Sequence, residues 1–250
     1  MLRHPGHRRT FRHNIRLAAL LCITAGFVNV AGFRAFMVLT TNVTGHVALF
    51  AEELAEGNFS AARTVGLWML LFFLGAFLCS LWIHRTGRWR RFSYSLPILV
   101  EVVVLVAVGV IGSRVARKQI NIDLMAGSLL FIMGVQNAMV SVISGAVVRT
   151  THLTGMFTDL GIDLSAITSA TREAKPLLRQ KIVLRVVIIF FFFLGGIAGG
   201  YLFTPIGYST FYIPAGILVL ALIYDVFRVR LLRGIRKFKS GNSEALKPAP

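Results

Sequence analysis

The stretch Thr40-Thr41-Asn42-Val43-Thr44-Gly45 returns as Thr150-Thr151-His152-Leu153-Thr154-Gly155. Upstream of each copy an apolar run carries a polar anchor, Gly26-Phe27-Val28-Asn29 in the first and Gly134-Val135-Gln136-Asn137 in the second. Downstream, Phe73-Leu74-Gly75-Ala76 matches Phe193-Leu194-Gly195-Gly196. The offsets of 110, 108 and 120 residues keep one order and drift only through connections, as a duplication with small insertions would.

Around these landmarks the chain is apolar. Of 250 residues, 56% are hydrophobic and 15% charged, yet the formal net charge is +17. Soluble domains carry about 25% charged residues and disordered chains are less hydrophobic. Nucleic-acid binding would explain the charge and leave the apolar fraction unexplained. A helical membrane protein with basic connections explains both. Crossing about 30 Å of hydrocarbon takes roughly 20 apolar residues, and six runs qualify: 16–36, 64–84, 95–113, 124–147, 182–203 and 210–228. The first follows an Arg-rich start and so resembles a signal peptide. It carries Asn29 and no convincing small-x-small site, so it reads as a retained anchor. Two cysteines, Cys22 and Cys79, exclude a disulfide scaffold.

Sorting the 27 basic residues by connection puts 22 on one side, which the positive-inside rule makes cytoplasmic. Six spans then leave both termini inside, in a bacterial inner membrane. Each repeat holds three spans. An odd number sends the second copy in from the opposite face, so the expected fold is all-α, an inverted 3+3 repeat. Its parts are a basic N-terminus (1–15), a membrane domain (16–228, with repeats at about 16–113 and 124–228) and a basic tail (229–250). Inverted repeats are a recurring design of secondary transporters, with sites near mid-membrane on broken helices. The small residues Gly75, Ala76, Cys79, Ser80 and Gly195, Gly196, Gly199, Gly200 form faces that let helix backbones approach.

The Thr-Gly segments are the candidate site. Irregular backbone at membrane depth survives only inside protein or along a water-filled cavity. Residues 35–55 could form a span, but a crossing there would move Arg85–Arg91 outside, so a broken or re-entrant segment is expected at each copy. Thr40, Thr41, Asn42, Thr44 and Gly45, with Thr150, Thr151, His152, Thr154 and Gly155, could bind a small polar solute or ion through hydroxyls and freed backbone groups. The same residues could simply cap the next helix. Asn29, Gln136 and Asn137 could line the path or hydrogen-bond between helices.

Gly26-Phe-Val-Asn, Thr44-Gly45, Gly134-x-Gln136-Asn137-Ala138 and Thr150-Thr-x-x-Thr-Gly155 together resemble the YoaK family of small bacterial inner-membrane proteins, over residues 15–228. The resemblance implies a multi-pass membrane protein, sometimes labelled a small permease, with no assigned activity. The family pattern often has Asp at the position of Asn29 and Asn at that of His46, so a proton or cation site built on those residues would be altered here.

Glu101, five residues into the third span, is either a coupling group or an interfacial partner of Arg91. Arg34 and Arg149 precede the two Thr segments, and either could attract an anion. His46, His152, Asp159 and Asp163 are the only hint of a metal site. The inverted topology would part the two histidines, and a solvated helix face accounts for the aspartates. No catalytic motif stands in the chain, so neither an enzyme nor a cofactor is expected, though an intramembrane enzyme and a non-transporting scaffold or sensor remain alternatives. The tail 228–239 would meet anionic lipid headgroups. A nucleic-acid partner is not expected, and six spans hint at a homodimer.

Overall fold

The computed structural model describes residues 10–87, 92–115 and 119–224. Residues 1–9 of the basic N-terminus, Arg91 as the expected partner of Glu101, and the basic tail lie outside them. The described residues form seven α-helices and no strand: α1 (Phe11–Phe36), α2 (Val43–Ala55), α3 (Phe59–Thr86), α4 (Phe92–Val115), α5 (Gln119–Ser144), α6 (Leu153–Ser169) and α7 (Lys175–Ile206). A 3-10 turn (Gly207–Phe211) follows, and residues 212–224 are helical again.

Five stretches are long and apolar enough to cross a membrane, and they carry five of the expected spans. The fifth, Lys175–Tyr224, runs on through a break. At Gly207 the backbone takes φ 54° and ψ −135°, a conformation glycine adopts without steric cost, and α7 stops there. The expected span 210–228 therefore starts inside the turn and continues the same apolar stretch. Tyr208 and Tyr212 of this corner seat their rings on Gly112 and Gly109 of α4.

The outward faces are apolar. Phe73 and Phe77 on α3, Val103 on α4, and Phe190 and Phe193 on α7 are all exposed. A surface of this kind, on helices of this length, belongs in lipid. The chain is a multi-pass membrane protein.

The centre belongs to α1 and α5, each with 67% of its apolar window buried, against 17% for α3. They run antiparallel: Gln136 of α5 meets Leu21 and Thr24 of α1, while Leu129 meets Gly32. The two most extensive helix pairings are α1 with α7 and α3 with α5, and both are parallel. Glycine makes them close. A Cβ on Gly26 would overlap the Phe192 carbonyl, and one on Gly195 would overlap the Ile23 carbonyl. The same two contacts recur in the other pair, between Gly134 and the Phe72 carbonyl and between Gly75 and the Phe131 carbonyl. Gly26 and Gly134, like Ile23 and Phe131, stand 108 residues apart. Gly75 and Gly195, like Phe72 and Phe192, stand 120 apart. The small-residue faces thus serve close backbone packing, and each half's first long helix packs on the second long helix of the other half.

Candidate functional site

The short helices explain the Thr-Gly segments. After Phe36 the chain turns at Met37, whose backbone is left-handed (φ 57°), and comes back along α1. Thr40 packs on Gly32, and the Thr41 N–H donates to Asn29 Oδ1 at 3.0 Å. Asn29 lies seven residues before the end of α1, so the chain has returned about 10 Å into the bundle. There α2 begins. Its 13 residues span about 20 Å, too short to cross hydrocarbon. In the second half α5 ends at Ser144, the backbone turns through Gly145 and Ala146 with positive φ, and α6 begins at Leu153. Ser144 ties this turn to Val148, as acceptor at 2.9 Å and donor at 3.2 Å.

The glycine that closes each motif is there for the residue three before it. A Cβ on Gly45 would stand 2.6 Å from Asn42 Nδ2, and one on Gly155 would overlap the His152 ring. Each glycine lets the N-cap side chain fold over the first helical turn. Asn42 uses that room to cap α2, its Oδ1 accepting the Gly45 N–H at 3.1 Å. His152 occupies the matching position of α6 and makes no cap hydrogen bond.

Both helix starts open on one cavity of about 830 Å³. The first half contributes Asn29, Thr41, Asn42 and Thr44, and the second Asn137, Thr151, His152, Thr154 and Gly155. Phe72 and Phe192, the residues whose carbonyls meet the glycines, add a ring from each half. Nine of the thirteen residues expected at the site therefore line one space. The other four turn away. Thr40 and Thr150 are fully buried, and neither hydroxyl has a partner among the described residues. Gly45 sits under Asn42. Gln136 is helix-to-helix glue: its Nε2 donates to the Leu21 carbonyl at 2.7 Å and to Thr24 Oγ1 at 3.3 Å.

Ser141, Arg149, Thr158 and Asp159 also line the cavity. Ser141 follows Asn137 by four residues, Thr158 follows Thr154 by four and Asp159 follows Gly155 by four, so helical periodicity already placed them on the same faces. The solvated face expected of Asp159 and Asp163 holds only for Asp159, whose side chain is about half exposed. Both hold Arg185 of α7, Asp159 at 3.1 Å and Asp163 in closer contact, and Asp163 is buried. Arg34 reaches Thr204 at 3.3 Å. His46 lies edge-on to Trp68, its Nδ1 2.7 Å from the Asn42 carbonyl, and does not line the cavity. Among the described residues no group of three His, Cys, Asp or Glu is placed to hold a metal ion. Glu101 is fully buried beside Cys79, with both carboxyl oxygens unpartnered among the described residues, and does not line the cavity.

Long apolar helices, two short helices between them and a polar cavity shared by the two halves make this a polytopic membrane protein. The chain belongs to the DUF1275 family, proteins of unknown function, whose sequence profile matches residues 17–224 and which includes the YoaK proteins. No curated protein and no solved structure matches the chain.

Proposed function

We propose that the chain is a small-solute permease of the bacterial cytoplasmic membrane, with six spans in an inverted 3+3 repeat and both termini cytoplasmic. The observation that carries this reading is the cavity, which receives one broken-helix start from each half. Transporters built from inverted repeats place substrate where the repeats meet, on discontinuous helices. Inversion is supported by the antiparallel course of α1 and α5, which carry matching motifs, and by the glycine contacts repeating at fixed offsets. Orientation rests on the 22 of 27 basic residues that fall on one side. The basic tail meets anionic lipid headgroups on that side.

Within this reading Asn29, Thr41, Asn42, Thr44, Asn137, Thr151, His152, Thr154 and Gly155 contact the solute. Glu101 stands apart, so coupling through it acts between helices rather than on the solute directly. The test is counterflow of small polar solutes in proteoliposomes. At least one solute should move, and its flux should fall sharply in Thr41→Val and Thr151→Val while both variants stay folded. Folded protein that moves no solute or ion refutes the permease.

A further inference from the structure

The two helix starts at the cavity are chemically unequal. In α2 the Asn42 carboxamide takes the Gly45 N–H. In α6 the first-turn N–H groups of Leu153, Thr154 and Gly155 make no hydrogen bond with any described residue, and all three residues line the cavity. Unsatisfied N–H groups at a helix start, with the positive end of the helix dipole behind them, attract anions. A second and independent sign of a ligand faces them from the first half. Thr41 is 7% exposed and lines the same cavity, and its hydroxyl makes no hydrogen bond with any described residue, only its backbone N–H being engaged, by Asn29. The charge at the walls points the same way. Asp159 is engaged by Arg185, whereas Arg149 makes no ion pair with any described residue.

From this geometry we infer that the start of α6 is an anion subsite, so that the solute of the proposed permease carries a carboxylate or another small oxoanion. Its oxygens accept from the Leu153, Thr154 and Gly155 N–H groups, with Arg149 balancing the charge and Thr41 donating from across the cavity. The inference deepens the permease reading and rests on it for transport, not for binding.

The test is calorimetric titration of the full chain in nanodiscs with acetate and inorganic phosphate, with choline and glycerol as comparison solutes. At least one anion should bind. His152→Asn introduces the cap that Asn42 supplies in α2 and occupies the Gly155 N–H. Leu153→Pro removes one donor at a helix position where proline is tolerated. Arg149→Gln removes the charge. Each should weaken anion binding about ten-fold or more, as loss of a charge-assisted hydrogen bond implies. Failure of both anions to bind, binding of choline or glycerol alone, or anion binding unmoved by His152→Asn and Leu153→Pro overturns the inference. Counterflow separates it from the permease reading. Anion binding without flux leaves the subsite and removes the permease; flux of glycerol or choline without anion binding does the reverse.

Discussion

Alanine is a better helix former than glycine by about 1 kcal/mol, so exchanging Gly for Ala in a roomy helix stabilises the fold. Gly161 of α6 is such a place, since nothing lies within 4 Å of its would-be Cβ. Gly26 is the opposite case, because its Cβ would overlap the carbonyl of Phe192. Carbon and oxygen need about 3.3 Å, so α1 and α7 would have to part by roughly 1 Å. A backbone group must yield here rather than a side-chain tip, which places the strain near the upper end of the usual range of about 1–3 kcal/mol. After the gain in helix propensity, Gly26→Ala should lose about 2 kcal/mol net, lowering the melting temperature by about 4–8 °C for a chain of this size. Gly134→Ala should do the same through the Phe72 carbonyl, and Gly161→Ala should melt about 2–4 °C higher than the parent. The molecule carries its own reporters, since Cys22 and Cys79 are free and buried. A dye that fluoresces on reacting with thiols, followed through a thermal ramp in detergent, reads unfolding directly. If Gly26→Ala melts at or above the parent, close backbone packing is not what holds α1 to α7.

Gln136→Leu removes the hydrogen bonds to Leu21 and Thr24 and should cost about 0.6–1.7 kcal/mol in the same thermal assay; an unchanged melt would make the side chain dispensable as glue. Asn29→Ala leaves the Thr41 N–H without its acceptor, at a cost of about 1–3 kcal/mol. It should loosen the first re-entrant turn, seen as faster labelling of a Thr40→Cys reporter; an unchanged rate would show that Asn29 does not hold the turn. Arg185→Gln strands the buried Asp163 and should destabilise by about 3–5 kcal/mol, with much of that recovered in the double variant Arg185→Gln, Asp163→Asn. Equal stability of the single and double variants would remove the ion pair from the account.

The long helices were legible because apolar length is a strong signal, and the Thr-Gly segments because polar residues at membrane depth need a reason. The break at Gly207 falls in the gap between the expected spans 182–203 and 210–228. Only the restart of the helix, at 212, was blurred, because turn and helix share one apolar composition. Among site residues, the errors fell on neighbours. Gln136 and Asn137 are adjacent on a helix and so point about 100° apart; one bridges to α1 and the other faces the cavity. Thr40 and Thr41, and again Thr150 and Thr151, diverge in the same way, one into the packing and one to the cavity. Asp163 read as solvated because its partner, Arg185, lies on another helix 22 residues along the chain. Periodicity carries information about faces within a helix and none about which helix meets it.

The exchange of partners between the halves also orders events in time. The glycine face of α1 finds its mate only when α7, more than 160 residues later in the chain, has been made and inserted. Until then that face can rest only against lipid or insertion machinery. Neither half is a self-sufficient folding unit: the first alone would hold α3 without α5, and α1 without α7. A severed gene should therefore give two short-lived fragments when its pieces are expressed singly, and a durable complex when they share a membrane.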